Sequence, residues 1–293
     1  MNRNLIIILV LLFTFGCNNQ DRKFENGKLL GNDYQLFENT PIWALAKAVR
    51  NNDTAKIKEL VFVKRMKVDY QETKFGNTLL MLSIVNNQYE TSKVLLNLGA
   101  NVNLENTYRG VSAMIEAANN DEPKYLELLL AHKGNPNAIE NAPVKVGDMA
   151  RETALNKAIS FVGTNGLVKV KLLVEAGADV NYFNEGNPAY TNLPLGDALI
   201  QDKMDIVLYL LQQGADYKKV MYLTVNNQKT YILEALRKSV LDLNSLQYKM
   251  KLDVIAFLKR KGLNYEKEPI PEYILKDIKI KYPGSWKGYV KRY

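Results

Sequence analysis

Thiols and imidazoles are nearly missing from this sequence: its 293 residues include one cysteine, Cys17, and one histidine, His132. The chemistry that depends on them goes too. A serine or cysteine nucleophile generally relies on a nearby histidine as base, zinc takes several Cys or His ligands, and a disulfide framework needs paired cysteines. No cofactor or metal is expected. His132 falls at a predicted helix end beside Lys133, where an imidazole would meet the last free carbonyls. Glycine-rich phosphate loops are lacking as well, since Gly163-Thr164-Asn165-Gly166 has neither the lysine nor the spacing of a P-loop and reads as a turn between helices. Acid pairs do occur, at Asp121-Glu122, Asp202 with Asp205, and Glu266 with Glu268, but in predicted turns or helix starts where acids are favoured anyway. No apolar run approaches the roughly 20 residues needed to cross a bilayer as a helix. The chain therefore reads as non-enzymatic, without a small-molecule substrate.

What is present is an ordinary globular balance, 47% hydrophobic and 24% charged, with material for a substantial core. The formal net charge is +8, unevenly placed. From Lys276 to Tyr293 there are six basic residues (Lys276, Lys279, Lys281, Lys287, Lys291, Arg292) and one acid, Asp277. A nucleic-acid binder shows a basic stripe along its working surface. With the charge at one end, no nucleic-acid partner is expected. The basic tail is interleaved with Tyr282, Trp286, Tyr289 and Tyr293. Two readings of it stay open: a solvated C-terminal cap, or a contact with anionic lipid headgroups or an acidic partner.

The N-terminus differs in kind. Arg3 precedes an eleven-residue stretch, Leu5 to Phe15, in which Thr14 is the most polar residue. A basic start, a short apolar stretch and small residues afterwards predict a signal peptide over 1–16. Thr14-Phe15-Gly16-Cys17 places a small residue directly before the cysteine and resembles the lipobox of bacterial lipoproteins, although Thr14 and Phe15 depart from its usual Leu and small residue. The resemblance implies lipidation of Cys17 and anchoring in the cell envelope. Because Asn18 is not the aspartate associated with inner-membrane retention, it points to the outer membrane, facing the periplasm. Residues 17–37 then read as a polar tether.

Internal repetition sets the expected fold. Leu95-Leu96-Asn97-Leu98-Gly99-Ala100-Asn101-Val102-Asn103, Leu172-Leu173-Val174-Glu175-Ala176-Gly177-Ala178-Asp179-Val180-Asn181 and Leu210-Leu211-Gln212-Gln213-Gly214-Ala215-Asp216-Tyr217 are one phrase, and Leu129 to Asn137 repeats it with Lys133 where glycine belongs. Each is a helix ending closed by a left-handed residue. Upstream lie start signals, Thr40-Pro41, Thr78-Leu79, Ser112-Ala113, Thr153-Ala154, Leu193-Pro194 and Thr230-Tyr231, which supply caps or a first-turn proline. These phrases resemble the ankyrin-repeat family across about 38–266. The resemblance implies an all-α solenoid of about six helix-turn-helix repeats with extended β-type fingers, followed by a capping extension over 267–293 that begins with a short helix near Tyr273. The family's Thr-Pro-Leu-His histidine is absent throughout, Trp43, Met81, Ile115, Asn156, Gly196 and Leu233 standing in its place. Apolar packing is expected to replace its hydrogen bonds in most repeats.

Such arrays bind protein partners on a concave face and its fingers. Tyr70, Tyr108, Tyr182, Tyr190, Tyr217 and Tyr265 all fall in predicted fingers and are the candidate partner contacts, because tyrosine offers large contact area at little rotamer cost. Simple stacking between fingers is the competing reading. Two insertions, Ala142 to Arg151 and Phe183 to Asn192, lengthen adjacent fingers beyond the repeat's needs. An anchor joined to such repeats resembles envelope lipoproteins that act as immunity partners of secreted lipase toxins. A housekeeping envelope adaptor and a membrane-tethered spacer are the other readings.

Overall fold

The computed structural model describes residues 29–142, 151–183 and 193–293, and Gly31–Tyr293 forms one compact unit with its own core. The predicted signal peptide, Cys17 and most of the predicted tether lie outside the described residues. Six helix pairs follow one another: α1 (Trp43–Arg50) with α2 (Thr54–Phe62), α3 (Leu79–Val85) with α4 (Tyr89–Asn97), α5 (Ala113–Asn119) with α6 (Lys124–Ala131), α7 (Ala154–Ser160) with α8 (Gly166–Glu175), α9 (Pro194–Ile200) with α10 (Met204–Gln212), and α11 (Ile232–Lys238) with α12 (Leu246–Arg260). The first, inner helices pack on one another from α1 through α11, and the outer helices α6 through α12 do the same. The predicted repeat architecture is the one adopted. Inner helices of about seven residues are too short to be stable alone. They persist because almost every side chain is buried against a neighbour, as in α3, where Leu79 to Ile84 are all buried.

The starts are uneven. Thr78 and Thr153 cap their helices by accepting from the Met81 and Asn156 amides at 3.3 and 3.1 Å. Ser112 holds the cap position without a side-chain bond, and Thr230 lies in a two-residue strand, leaving Tyr231 at the cap. Thr40 instead donates to the Phe37 carbonyl at 2.7 Å, because a 3-10 turn over Tyr34–Phe37 leads into α1. That turn belongs to the fold, with Phe37 wholly buried, so the packed structure begins before residue 38, where the sequence placed the end of the tether.

At the helix ends, Gly99, Gly177 and Gly214 are left-handed as expected, and so are Lys133, and Arg65 after α2. His132 ends α6 with Nδ1 2.9 Å from the Leu128 carbonyl.

After each ending, a ladder of short side chains joins the fingers. Asp69 accepts from the Asn101 amide, Asn103 from Asn135, Asn137 from Asp179 and Asn181 from Asp216, at 2.7–2.8 Å. The ladder stops after the fifth repeat, where Lys218 follows Asp216 and has no acceptor to offer the next unit. Beyond α12 the chain forms α13 (Glu272–Lys281) and α14 (Trp286–Arg292). The extension is a helical hairpin in which Ile274, Ile278, Tyr289 and Tyr293 turn inward and form a small core of their own.

Candidate partner-binding face

The described fingers are short hairpins locked to one another tip to tip. Glu72 is buried and accepts from the amides of Lys74, Phe75 and Asn77 at 2.7–2.9 Å, which shapes the first tip. Thirty-four residues on, Asn106 does the same for Arg109 and Val111, at 3.1 Å each. The tips then join through the backbone: Thr107 and Tyr108 donate to the Phe75 carbonyl at 3.1 Å, and Ala142 donates to the Arg109 carbonyl at 3.2 Å. Gly76 and Gly110 make this approach possible. Both have positive φ, and a Cβ on either would lie 2.5 Å from a backbone nitrogen of the following finger. The pairs Phe75-Gly76 and Arg109-Gly110 recur at the repeat spacing, so these glycines mark the finger tips in the sequence as the others mark the helix ends.

Tyr108 stands edge-on against Phe75, ring centres 5.6 Å apart, and is 62% exposed. Lys74 lies 5.1 Å from the Phe75 ring. Beside this aromatic tip, the Arg109 guanidinium bonds Glu140 at 2.5 Å, and Lys157 joins Glu140, at 3.5 Å, to Glu152. Arg151 donates to the Ala142 carbonyl at 2.9 Å, closing the base of the long third finger.

Along the inner helices runs a stripe that sequence reasoning missed. Glu116, Lys157 and Asp197 each occupy the fourth position of α5, α7 and α9, at repeat spacing. Burial pushes Glu116 up to about 7, partly offset by Lys157. Burial also pushes Asp197 up to about 7, against the Asn156 amide that donates to it at 2.7 Å. Burial alone would lower Lys157, but its bonds to Glu152 and Glu140 outweigh that and hold it above the ordinary lysine range. The Asn156 to Asp197 bond is a polar link between repeats at a position where the family's histidine is missing. Elsewhere, side chains at or beside the outer helices donate to the last carbonyls of the inner helix one repeat back, where helical hydrogen bonding runs out. Gln88 donates to Val49 and Arg50 at 2.9 and 3.0 Å, Lys169 to Ala118 and Asn120 at 2.7 and 2.9 Å, and Lys203 to Ile159 and Phe161.

The candidate tyrosines separate by environment. Tyr108 is exposed, and Tyr70, Tyr182 and Tyr217 are half-buried, Tyr70 with its ring 6.4 Å from Phe37. Tyr190 and most of both long insertions lie outside the described residues. Tyr265 is a correction: it is 7% exposed, its ring lies 3.8 Å from the Arg237 guanidinium, and it packs inside the C-terminal module, out of a partner's reach. It opens a 3-10 turn, Tyr265–Lys267, and Arg237 ties its carbonyl to that of Tyr293 at the end of the chain's cap.

The fold defines a class: an α-solenoid of stacked helix pairs, a scaffold whose surface is set by side chains projecting from rigid repeats. A sequence profile described as "Ankyrin repeats (3 copies)" matches residues 45–141. Among curated relatives, a putative ankyrin repeat protein of fowlpox virus is 27% identical over 73% of this chain and 58% of its own length. The nuclear factor NF-kappa-B p105 subunit of Gallus gallus is 34% identical over 50% of this chain and 14% of its own length, and a putative ankyrin repeat protein of Rickettsia bellii is 35% identical over 32% and 14%. The chain thus spans 58% or less of these relatives. The solved ankyrin repeat protein EF0377 aligns with a TM-score of 0.50 at 24% identity, over 74% of this chain and 96% of that one. The ankyrin repeat domain of Bcl-3, titled a unique member of the IkappaB family, aligns at 0.52 and 21%, over 75% and 86%. Residues 45–141 thus match ankyrin repeats, and the stacked helix pairs of the described residues share the fold of those solved ankyrin-repeat proteins.

Proposed function

We infer that this chain is a non-enzymatic binding scaffold that holds one folded protein against its fingers and inner helices. The observation that carries the reading is the exposed Tyr108 on Phe75 beside the Arg109, Glu140, Lys157 and Glu152 network: an aromatic anchor next to fixed charges, on tips locked together by backbone bonds. Rigid aromatic anchors ringed by ordered polar groups are what interface hot spots are made of. Ankyrin repeats are in general protein-interaction modules, which favours binding over catalysis.

The particular partner follows from joining the fold to the N-terminal sequence. With Cys17 lipidated, the scaffold stands on the envelope membrane, probed by whatever approaches that membrane. The reading that best joins anchor and repeats is immunity: the chain captures a secreted, lipase-type toxin in the periplasm and occludes it by mass action. The test uses an exported lipase encoded beside this gene. Cells lacking the chain are expected to be killed by it, wild type to protect them, and Tyr108→Ala to lose at least 10-fold in affinity for the purified toxin while melting normally. No protection by the wild type, with the scaffold bound instead to a resident envelope enzyme, would select the adaptor reading. Unchanged toxin affinity in a folded Tyr108→Ala variant would overturn the site.

A further inference from the structure

Charge is segregated along the described fold more sharply than the tail alone suggests. Residues 237–293 hold fourteen basic side chains against six acidic ones, whereas residues 29–236 hold twenty-one against twenty-three. The sixth repeat and its cap are therefore a cationic end on a nearly neutral array. Folding directs this charge outward. In α13 and α14 the aromatic faces are used internally, with Tyr282 stacked on Tyr289 at 4.5 Å and Tyr289 on Tyr293 at 5.4 Å, and all six basic residues of 276–293 are exposed.

The outward face of α13 is not simply basic. While Ile274 and Ile278 turn inward, Tyr273 is 54% exposed and Ile280 79% exposed, two turns apart on the opposite side. Lys276, Lys279 and Lys281 stand around them with two acids, Asp277 and Glu272, the latter 3.3 Å from Lys276, and the Trp286 ring, partly buried against the hairpin core, has Lys279 at 4.8 Å and Lys287 at 5.8 Å. An isoleucine exposed to that degree stands clear of the surface and does not line a groove. A protruding Ile and Tyr, with a partly buried Trp at their edge and lysines in excess over acids, are the chemistry of an interfacial surface: the exposed ring and alkyl groups enter the headgroup boundary while the ammonium groups stay with the phosphates.

We propose that the α13–α14 face docks on an anionic lipid surface through Tyr273, Ile280 and Trp286 and the surrounding lysines. This contact is separate from the fingers and from any covalent anchor, and it does not rest on the immunity reading. Each Lys or Arg near an anionic surface contributes about 1 kcal/mol, or roughly 5-fold in partitioning.

The test is sedimentation of the full chain with vesicles of phosphatidylcholine alone or with 30% phosphatidylglycerol. Any insertion of the N-terminal apolar stretch is common to both vesicles, so the excess on anionic vesicles reports the basic face. Reversing Lys276, Lys279 and Lys287 to Glu is expected to lower that excess by about 100-fold. The same net change made at Lys58, Lys93 and Lys171, all exposed on outer helices of the array, is expected to change it by less than 5-fold. Ile280→Ser should lower binding to both vesicles, in 0.5 M salt as well as at low salt, because apolar insertion is not screened. Equal binding to both vesicles, equal loss in the two triple variants, or tighter capture by polyglutamate than by anionic vesicles would overturn the proposal, the last in favour of an acidic protein partner.

Discussion

Between the first repeat and the fifth, neighbouring units are joined at the fingers by short neutral or acidic side chains and backbone amides; between the sixth repeat and the cap, the joint is made of buried cations and aromatic rings. Asn103, Asn137 and Asn181 each reach a single backbone amide in the next repeat and are solvated at no great cost if broken. Arg237 instead donates to the carbonyls of Glu268, Tyr293 and Tyr265 at 3.0, 3.1 and 2.9 Å, while the Tyr293 hydroxyl donates back to the Arg237 carbonyl. Lys251 lies beneath, donating to Ser239 at 3.0 Å, with the Tyr293 ring 3.9 Å away. Many small links make a joint that tolerates loss of any one of them. A single hub makes a joint that fails when the hub is removed.

The largest expected effect follows directly. Arg237→Ala removes a donor from three carbonyls, of which Tyr265 keeps the Glu268 amide at 3.1 Å, and should cost about 3 kcal/mol, with protease cleavage appearing first in α13 and α14. Arg237→Lys should not restore stability, because one ammonium cannot span the three acceptors that the planar guanidinium reaches. If urea denaturation shows both variants within about 0.5 kcal/mol of wild type, the cap is not held through Arg237 and the contrast with the array disappears. Next comes Gly110→Ala, which combines a strained φ with a clash against the next finger's backbone and should cost about 2 kcal/mol or more. Gly177→Ala, at a helix end where a Cβ meets nothing, should cost only about 1 kcal/mol. Equal losses at the two sites would mean that the finger tips contribute nothing by touching.

What was legible in the sequence follows the same divide. The helix endings were readable because glycine after an apolar turn has one conformational meaning, and Lys133 could be placed by alignment with the others. The Asn and Asp residues of the ladder lay inside the quoted phrases, but their partners lie a whole repeat away, and no local pattern reports a contact at that distance. Tyr265 shows the limit most plainly: it holds a finger position by every local criterion, yet it is buried, with its ring against the Arg237 guanidinium. The stripe of Glu116, Lys157 and Asp197 was hidden for a different reason. Acids and a lysine in a short helix look solvated until the stacking of helices above and below removes the water.

The buried ionisable groups give the smallest effect at neutral pH and the finest test of the comparison, because Asp197 in the array and Lys251 at the cap's joint should respond to pH in opposite directions. Asp197 is raised to about 7 from an ordinary 3.8 by burial, so its contribution is complete below pH 4 and is lost as pH rises through 7. Lys251 is lowered to about 7 from 10.5 by burial and by the Arg237 charge, with Asp202 opposing; its contribution is complete above pH 10.5 and is lost as pH falls through 7. Asp197→Asn should therefore flatten the melting profile between pH 4 and 7, and Lys251→Met should flatten it between pH 7 and 10, each with little change in Tm at pH 7. Lys169, in the array, is lowered to about 8 by burial and slopes as Lys251 does, so each variant is compared with wild type in its own window. Parallel profiles for Lys251→Met and wild type above pH 7 would mean that the ammonium keeps its proton among the rings. In that case Tyr293 and Tyr265 hold two cations at once, and the cap resembles a cation-binding cage more than a latch of neutral hydrogen bonds.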